Sequence, residues 1–295
     1  MVARILDGKS LAADLRAETA AAAAALKAAT GLVPGLAVVR VGDDPASRSY
    51  VAAKEKACAA AGIHSREIHL PASARKAEIL AAVRALNADD AVDGILVQLP
   101  LPDASAEREV IEAIDPAKDV DGFHPTNVGR MVLGLPAFVP CTPAGVVELL
   151  RRAGVALAGA AVVVIGRSQI VGRPLSVLLS QKGVDATVTL CHTRTKDVAR
   201  FTRAADVVVV AAGRPNVLTA DMVKPGAVVI DVGVNRVPDA SKASGYRLAG
   251  DVDFAAVAEK AAAITPVPGG VGPLTIAMLL KNTLEAARRR RGAGA

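Results

Sequence analysis

Residues 161–174 read Ala161-Val-Val-Val-Ile165-Gly166-Arg167-Ser168-Gln-Ile-Val-Gly172-Arg-Pro174. Three valines and an isoleucine in succession, with no polar alternation, predict a strand buried on both faces. Gly166 then opens a turn, and Gly172 with Pro174 marks the start of a helix. A buried strand, a glycine turn and a helix start are the setting that a dinucleotide pyrophosphate needs. Helix N-terminal amides point at the phosphate, and the absent Cβ lets the backbone approach it. The spacing is not G-x-G-x-x-G: Ser168 stands where the middle glycine would be, and the last glycine comes one residue late. Gly166, Ser168, Gly172 and Pro174 are therefore the candidate pyrophosphate residues.

Working outward, further buried-strand runs at 187–190, 207–211 and 228–232 extend this unit into an open parallel sheet of the Rossmann type. Upstream, Ser10 reads as the N-cap of a helix over 10–29, ended by Gly31 and Pro34. Strands at 36–41, 63–68 and 94–98 then alternate with helices at 49–61 and 75–86, the repeat of a parallel sheet with crossover helices. Residues 100–143 are irregular and rich in Asp, Gly, Asn and Pro, with one short helix near 107–114. Segments this long without regular structure are usually functional. A helix ends near residue 152, and a last helix over 272–289 follows the Gly/Pro cluster at 266–273. The expected fold is α/β in two domains with an interdomain cleft. An N-terminal α/β substrate domain takes 1–140 plus 272–295, and a Rossmann-type doubly wound parallel-sheet dinucleotide domain takes 141–271.

Composition excludes several function classes. At 295 residues the chain exceeds one simple core, and 52% hydrophobic residues with 22% charged rule out disorder. Aromatics make up 2% with no Trp, so stacking platforms for single-stranded nucleic acid are almost absent. The net charge of +6 is 35 basic minus 29 acidic residues, and Arg288 to Arg291 supply four of it, leaving +2 elsewhere. That balance does not make a nucleic-acid-binding body, and the arginine run reads as a solvated end. Cys58, Cys141 and Cys191 are odd in number and widely spaced, so a reducing cytoplasm fits better than a disulfide framework. The alanine run at 20–25 is bracketed by Arg16, Glu18 and Lys27 and is too short to span a membrane. The first residues carry Arg4, Asp7 and Lys9 rather than the apolar core of a secretory signal.

The strand after the glycine turn ends Leu190-Cys-His-Thr193-Arg194-Thr195, without the carboxylate that holds a free ribose 2′-hydroxyl. Arg167, Thr193 and Arg194 suit a 2′-phosphate instead, which favours NADP over NAD. His192 reads as a strand-end polar residue. The four histidines form no ligand-spaced cluster, so no metal site is expected. In the first domain Tyr50 and Lys54 are four apart on a predicted helix and share a face. Gln98 ends an apolar strand, where open α/β sheets place ligand groups. Asp119 and Asp121, in Lys118-Asp-Val-Asp-Gly122, supply either ligand carboxylates or turn caps.

Together these segments resemble the bifunctional methylenetetrahydrofolate dehydrogenase/cyclohydrolase (FolD) family. The match runs through the Tyr50 to Lys54 helix, Val97-Gln-Leu-Pro-Leu-Pro102, Lys118 to Gly122, Pro140-Cys-Thr-Pro143 and Gly166 to Pro174. It continues through Cys191 to Thr195, Asp231-Val-Gly-Val-Asn235, Gly250-Asp-Val-Asp253 and Pro268-Gly-Gly-Val-Gly-Pro-Leu-Thr275, in the family's order. Departures are Thr193, where many members have Ser, and Phe123-His124 after the Asp-Gly turn. The resemblance implies oxidation of 5,10-methylenetetrahydrofolate to 5,10-methenyltetrahydrofolate with NADP+, then hydrolysis to 10-formyltetrahydrofolate, in the one-carbon metabolism that serves purine biosynthesis. It implies Lys54 as general acid/base, its amine brought toward neutrality by desolvation or nearby positive charge. Gln98 would orient Lys54, Tyr50 would stack on the aminobenzoyl ring, and Asp121 would hydrogen-bond the pterin edge. Leu99, Pro268 and Gly269 would touch substrate. Thr142, Val232, Gly233 and Thr275 would line the nicotinamide end. A cytoplasmic homodimer formed through the nucleotide domain, without nucleic-acid or membrane partners, is also implied. The rival readings are another dehydrogenase of the same architecture, such as a shikimate- or amino-acid-type enzyme, and a nonenzymatic NADP-binding regulator.

Overall fold

The computed structural model describes residues 2–242 and 245–292. In chain order β1 (Arg4–Ile5) and α1 (Gly8–Thr30) lead into β2 (Gly35–Val41), α2 (Pro45–Ala60), β3 (His64–Leu70), α3 (Lys76–Ala88) and β4 (Gly94–Val97). The short helices α4 (Glu107–Glu112) and α5 (Pro125–Val132) precede α6 (Cys141–Arg152). Then come β5 (Ala161–Ile165), α7 (Gly172–Ser180), β6 (Thr187–Cys191), α8 (Val198–Thr202), β7 (Val207–Val210) and β8 (Val228–Asp231). The hairpin β9 (Asn235–Pro238) and β10 (Tyr246–Ala249), α9 (Phe254–Ala258), β11 (Ala263–Ile264) and α10 (Gly272–Arg290) complete the order.

The chain divides into two compact units, one of Met1–Ala12 with Pro140–Thr275 and one of Ala13–Val139 with Ile276–Ala295. In the second unit a parallel sheet of order β3-β2-β4 carries the crossover helices. Its core joins Val39, Ile95 and Val97 to Ile79, Val83 and Leu86 of α3. The first unit holds a six-stranded parallel sheet of order β1-β11-β8-β7-β5-β6. From β5 the chain steps to β6 on one flank and then crosses to β7 on the other. That reversal makes the carboxyl ends of β5 and β7 a topological switch point, where doubly wound sheets bind ligands.

Several expectations need correction. Residues 1–12 were expected with the substrate domain, but β1 pairs with β11 and so completes the six-stranded sheet of the first unit. Asp7, not Ser10, caps α1: its Oδ1 accepts the amides of Lys9 and Ser10 at 2.9 and 3.1 Å. The arginine run is not a solvated end, because α10 reaches Arg290, and Arg290 and Arg291 both pair with Asp93, which is 0% exposed. Helix α5 and the β9–β10 hairpin were not expected at all. No helix among the described residues is long and apolar enough to cross a membrane.

Candidate functional site

In the nucleotide unit, Gly166 sits at φ +124° and donates its amide to Cys191 O at 2.9 Å. A Cβ on Gly166 would lie 2.1 Å from Ala211 O, and one on Gly172 only 1.8 Å from Gly166 O. Both glycines are thus demanded by backbone packing. Ser168 accepts the amides of Val171 and Gly172 on its Oγ at 3.1 and 3.3 Å, closing the turn where a middle glycine would otherwise lie. Pro174 is buried in the first turn of α7. Arg167 is exposed on this turn.

Strand β6 runs in register with β5, Ile165 beside Cys191, so the turn after β6 lies at the same carboxyl edge. Thr193 and Arg194 are exposed on it. The structure therefore brings Arg167, Thr193 and Arg194 to adjacent turns.

The turns after β7 and β8 are held by two buried carboxylates to which the sequence reading gave no role. Asp231 accepts the amides of Gly233 (3.0 Å), Asp251 (2.9 Å) and Val252 (3.0 Å). Asp251 accepts those of Ala212 (2.6 Å) and Gly213 (2.8 Å), and Asn235 Nδ2 at 2.8 Å. Burial pushes the Asp231 carboxyl up to about 6, against the pull of its three amide donors and with a smaller push from Asp251. A Cβ at Gly250 would come within 1.8 Å of Asp231 Oδ2, and one at Gly233 within 2.1 Å of Asp251 Oδ1. Val232 leaves β8 with its amide on Val210 O at 2.8 Å. In the same unit Thr142, near the start of α6, shares a 2.8 Å hydroxyl hydrogen bond with Thr275, in the first turn of α10. Pro268 follows a cis peptide bond, and Gly269 (φ +107°) accepts the Lys9 amide at 2.9 Å.

The second unit carries the amine. Asp44 caps α2 by accepting the Ser47 amide at 2.8 Å, and Lys54 lies on this helix one turn beyond Tyr50. Lys54 is 6% exposed, whereas Tyr50 is 44% exposed. Gln98, just past β4, is fixed by its amide on Val39 O at 2.8 Å. Lys54 Nζ donates to Gln98 Oε1 at 2.8 Å, while Gln98 Nε2 donates to Leu99 O at 2.8 Å. The second bond fixes which end of the amide faces the lysine. Gln98 adds an acceptor there without adding charge.

The two candidate carboxylates separate by role. Asp119 is 1% exposed and accepts the amides of Gly122, Phe123 and His124 at 3.2, 3.2 and 2.8 Å, with Asn127 Nδ2 at 2.9 Å. It builds the turn. Asp121 stands half-buried within that turn. Lys118 is 1% exposed and donates to the carbonyls of Leu86, Asn87 and Asp89 at the end of α3 (3.0, 2.8 and 2.8 Å); burial lowers its pKa. Among the described residues no group of three or more His, Cys, Asp or Glu is placed to hold a metal ion.

Comparison with known proteins gives the following. Residues 6–121 match the family model "tetrahydrofolate dehydrogenase/cyclohydrolase, catalytic domain", and residues 140–291 match its "NAD(P)-binding domain". The chain is 56% identical over 289 residues to bifunctional protein FolD 1 of Myxococcus xanthus, covering 98% of this chain and 99% of that protein. The crystal structure of the bifunctional FolD enzyme from Campylobacter jejuni superposes with TM-score 0.92 at 50% identity, covering 97% and 99% of the two chains. That of the Trypanosoma brucei enzyme, complexed with NADP cofactor and inhibitor, gives TM-score 0.94 at 42% identity, with 99% of each chain covered.

Proposed function

The chain belongs to the tetrahydrofolate dehydrogenase/cyclohydrolase family, and from that premise we propose how its own residues carry the two reactions. It oxidises 5,10-methylenetetrahydrofolate to 5,10-methenyltetrahydrofolate with NADP+ and hydrolyses the product to 10-formyltetrahydrofolate. When bound, NADP+ supplies the hydride acceptor for the first step. The turn in which Gly172 leaves no room for a Cβ beside Gly166 fits its pyrophosphate, with Ser168 and Pro174 holding the turn in shape. Arg167, Thr193 and Arg194 meet the 2′-phosphate, Arg167 and Arg194 as cations and Thr193 as a hydroxyl donor. Thr142, Val232, Gly233 and Thr275 line the nicotinamide end.

The observation that carries the assignment is the buried Lys54 amine held on Gln98 Oε1 at 2.8 Å. In hydrolysis, water adds to the electrophilic carbon of the methenyl bridge. Lys54 Nζ takes one proton from the water oxygen and gives it to the ring nitrogen as that carbon–nitrogen bond breaks, while the remaining hydroxyl proton leaves to solvent as the formyl C=O forms, so one proton is released overall. Gln98 keeps one N–H of the amine engaged, which fixes the direction of its remaining valences. Tyr50 offers its exposed ring to the aminobenzoyl group. Asp121 accepts from the pterin edge, and Leu99, Pro268 and Gly269 contact the rest of the folate. The enzyme acts as a homodimer in the cytoplasm, a compartment that suits three buried cysteines outside any disulfide.

Replacing Lys54 by Met tests the mechanism. The protein is expected to stay folded and bind NADP+, and to lose enzyme-accelerated decay of methenyltetrahydrofolate absorbance by a factor of roughly 100 or more. Near-normal decay with soluble Lys54→Met protein would take the lysine out of the mechanism.

A further inference from the structure

The turn that carries Thr193 and Arg194 is built by two residues that the nucleotide assignment leaves without a task. His192 Nδ1 accepts the Arg194 amide at 3.1 Å. Thr195 Oγ1 accepts the His192 amide at 2.9 Å, and the Thr195 amide returns to His192 O at 2.8 Å. The two side chains thus clamp the backbone on both sides of Thr193 and Arg194. His192 and Thr195 are half-buried, whereas the residues they enclose are exposed. We propose that His192 and Thr195 are positioning residues for cofactor discrimination, setting Thr193 and Arg194 where the NADP+ 2′-phosphate arrives. The inference rests on the reading above that Thr193 and Arg194 meet that phosphate.

Three features support it. An imidazole whose Nδ1 accepts a backbone N–H carries its single proton on Nε2, so the ring works here as Asn works in an Asx turn. The chain uses the same device at the start of α5, where His124 Nδ1 accepts the Thr126 amide at 3.0 Å. The clamp is also tied to the glycine turn, because Cys191 O, one residue before His192, accepts the Gly166 amide. Arg167 and Arg194 are therefore set from one backbone point. Without the clamp, ordering Thr193 and Arg194 would have to be done by the phosphate itself, at an entropic cost that falls on NADP+ and not on NAD+.

The test compares binding of adenosine 2′,5′-bisphosphate with that of AMP by calorimetry, and KM for NADP+ with KM for NAD+. The proteins are wild type, His192→Ala, His192→Asn, Thr195→Val and Arg194→Ala, each checked by its thermal midpoint. Loss of one clamp bond in His192→Ala or Thr195→Val is expected to weaken the bisphosphate about fivefold to tenfold and AMP less than twofold. His192→Asn, whose Oδ1 stands where Nδ1 stood, is expected to restore the wild-type ratio. Should Arg194→Ala lose discrimination while His192→Ala and Thr195→Val keep it, the positioning role is overturned and the phosphate reading survives. Unchanged discrimination in Arg194→Ala would overturn the phosphate reading and the inference with it.

Discussion

Asp231 is the residue whose chemistry departs furthest from its local sequence. The sequence places it inside the buried-strand run 228–232 without a role, yet it is a carboxylate, 2% exposed, and pushed up to about 6. Between about pH 4 and 6 the folded chain holds a proton there that the unfolded chain releases, so this group's contribution to stability falls as pH rises through that window. A shift of about two pH units corresponds to roughly 3 kcal/mol. In Asp231→Asn the term vanishes. The variant starts below wild type at pH 4 and gains on it by up to that amount by pH 7, read from urea midpoints at both pH values. A wild-type-minus-variant difference that stays flat would show that Asp231 does not titrate in that range. The chain displays locally only the i,i+4 spacing that puts Lys54 beside Tyr50 and the place of Gln98 at the end of an apolar strand; the roles given to them come from the family resemblance. The partners of Asp231 and Asp251 lie up to 39 residues away and leave no local pattern to read.

At the scale of elements, what decides a position is whether the backbone around it has room. Gly172 begins α7 with Gly166 O where a Cβ would stand, whereas Gly129 within α5 has nothing within 4 Å. Gly172→Ala is expected to push α7 off the β5 turn, lowering the thermal midpoint and raising KM for NADP+ about tenfold or more. Gly129→Ala is expected to stabilise the chain by about 0.5–1 kcal/mol, because an open helical site gains only the lost freedom of the unfolded glycine. Equal effects in the two variants, by thermal melts and NADP+ titration, would undo the steric argument. The same contrast explains what was legible. The long alternating elements are visible because apolar runs of strand length recur between helical periods. Strands β1 and β11 have two residues each and exist only as pairing partners. Helix α5 has eight residues with Gly129 in its interior, a poor helix former; Pro125 stands at its first position, where proline is favoured, and the helix is held by the His124 cap and by Asn127 on Asp119.

At the scale of the molecule, neither unit is a continuous stretch of chain. The unit that carries Lys54 takes its last helix from Ile276 onward, and the lock on that helix is electrostatic. Asp93, fully buried just before β4, accepts Arg290 Nη1 and Arg291 Nε on Oδ1, both at 2.9 Å. Its Oδ2 takes Arg291 Nη2 at 2.8 Å and the Gly35 amide at 2.9 Å, and Arg290 also holds Val92 O at 2.8 Å. The sequence read this arginine run as solvated because its partner lies almost 200 residues upstream, beyond any periodicity. A buried carboxylate stripped of its cations loses about 3–5 kcal/mol, against about 0–1 kcal/mol for an exposed pair. The double variant Arg290→Met/Arg291→Met is therefore expected to lower the melting transition by roughly 6–20 °C in calorimetry. Cyclohydrolase activity, which we propose rests on Lys54 in the same unit, is expected to decay faster on mild heating, while NADP+ affinity at 25 °C stays near wild type. A shift below about 1 °C would return the arginines to solvent and leave Asp93 stabilised by the Gly35 amide alone.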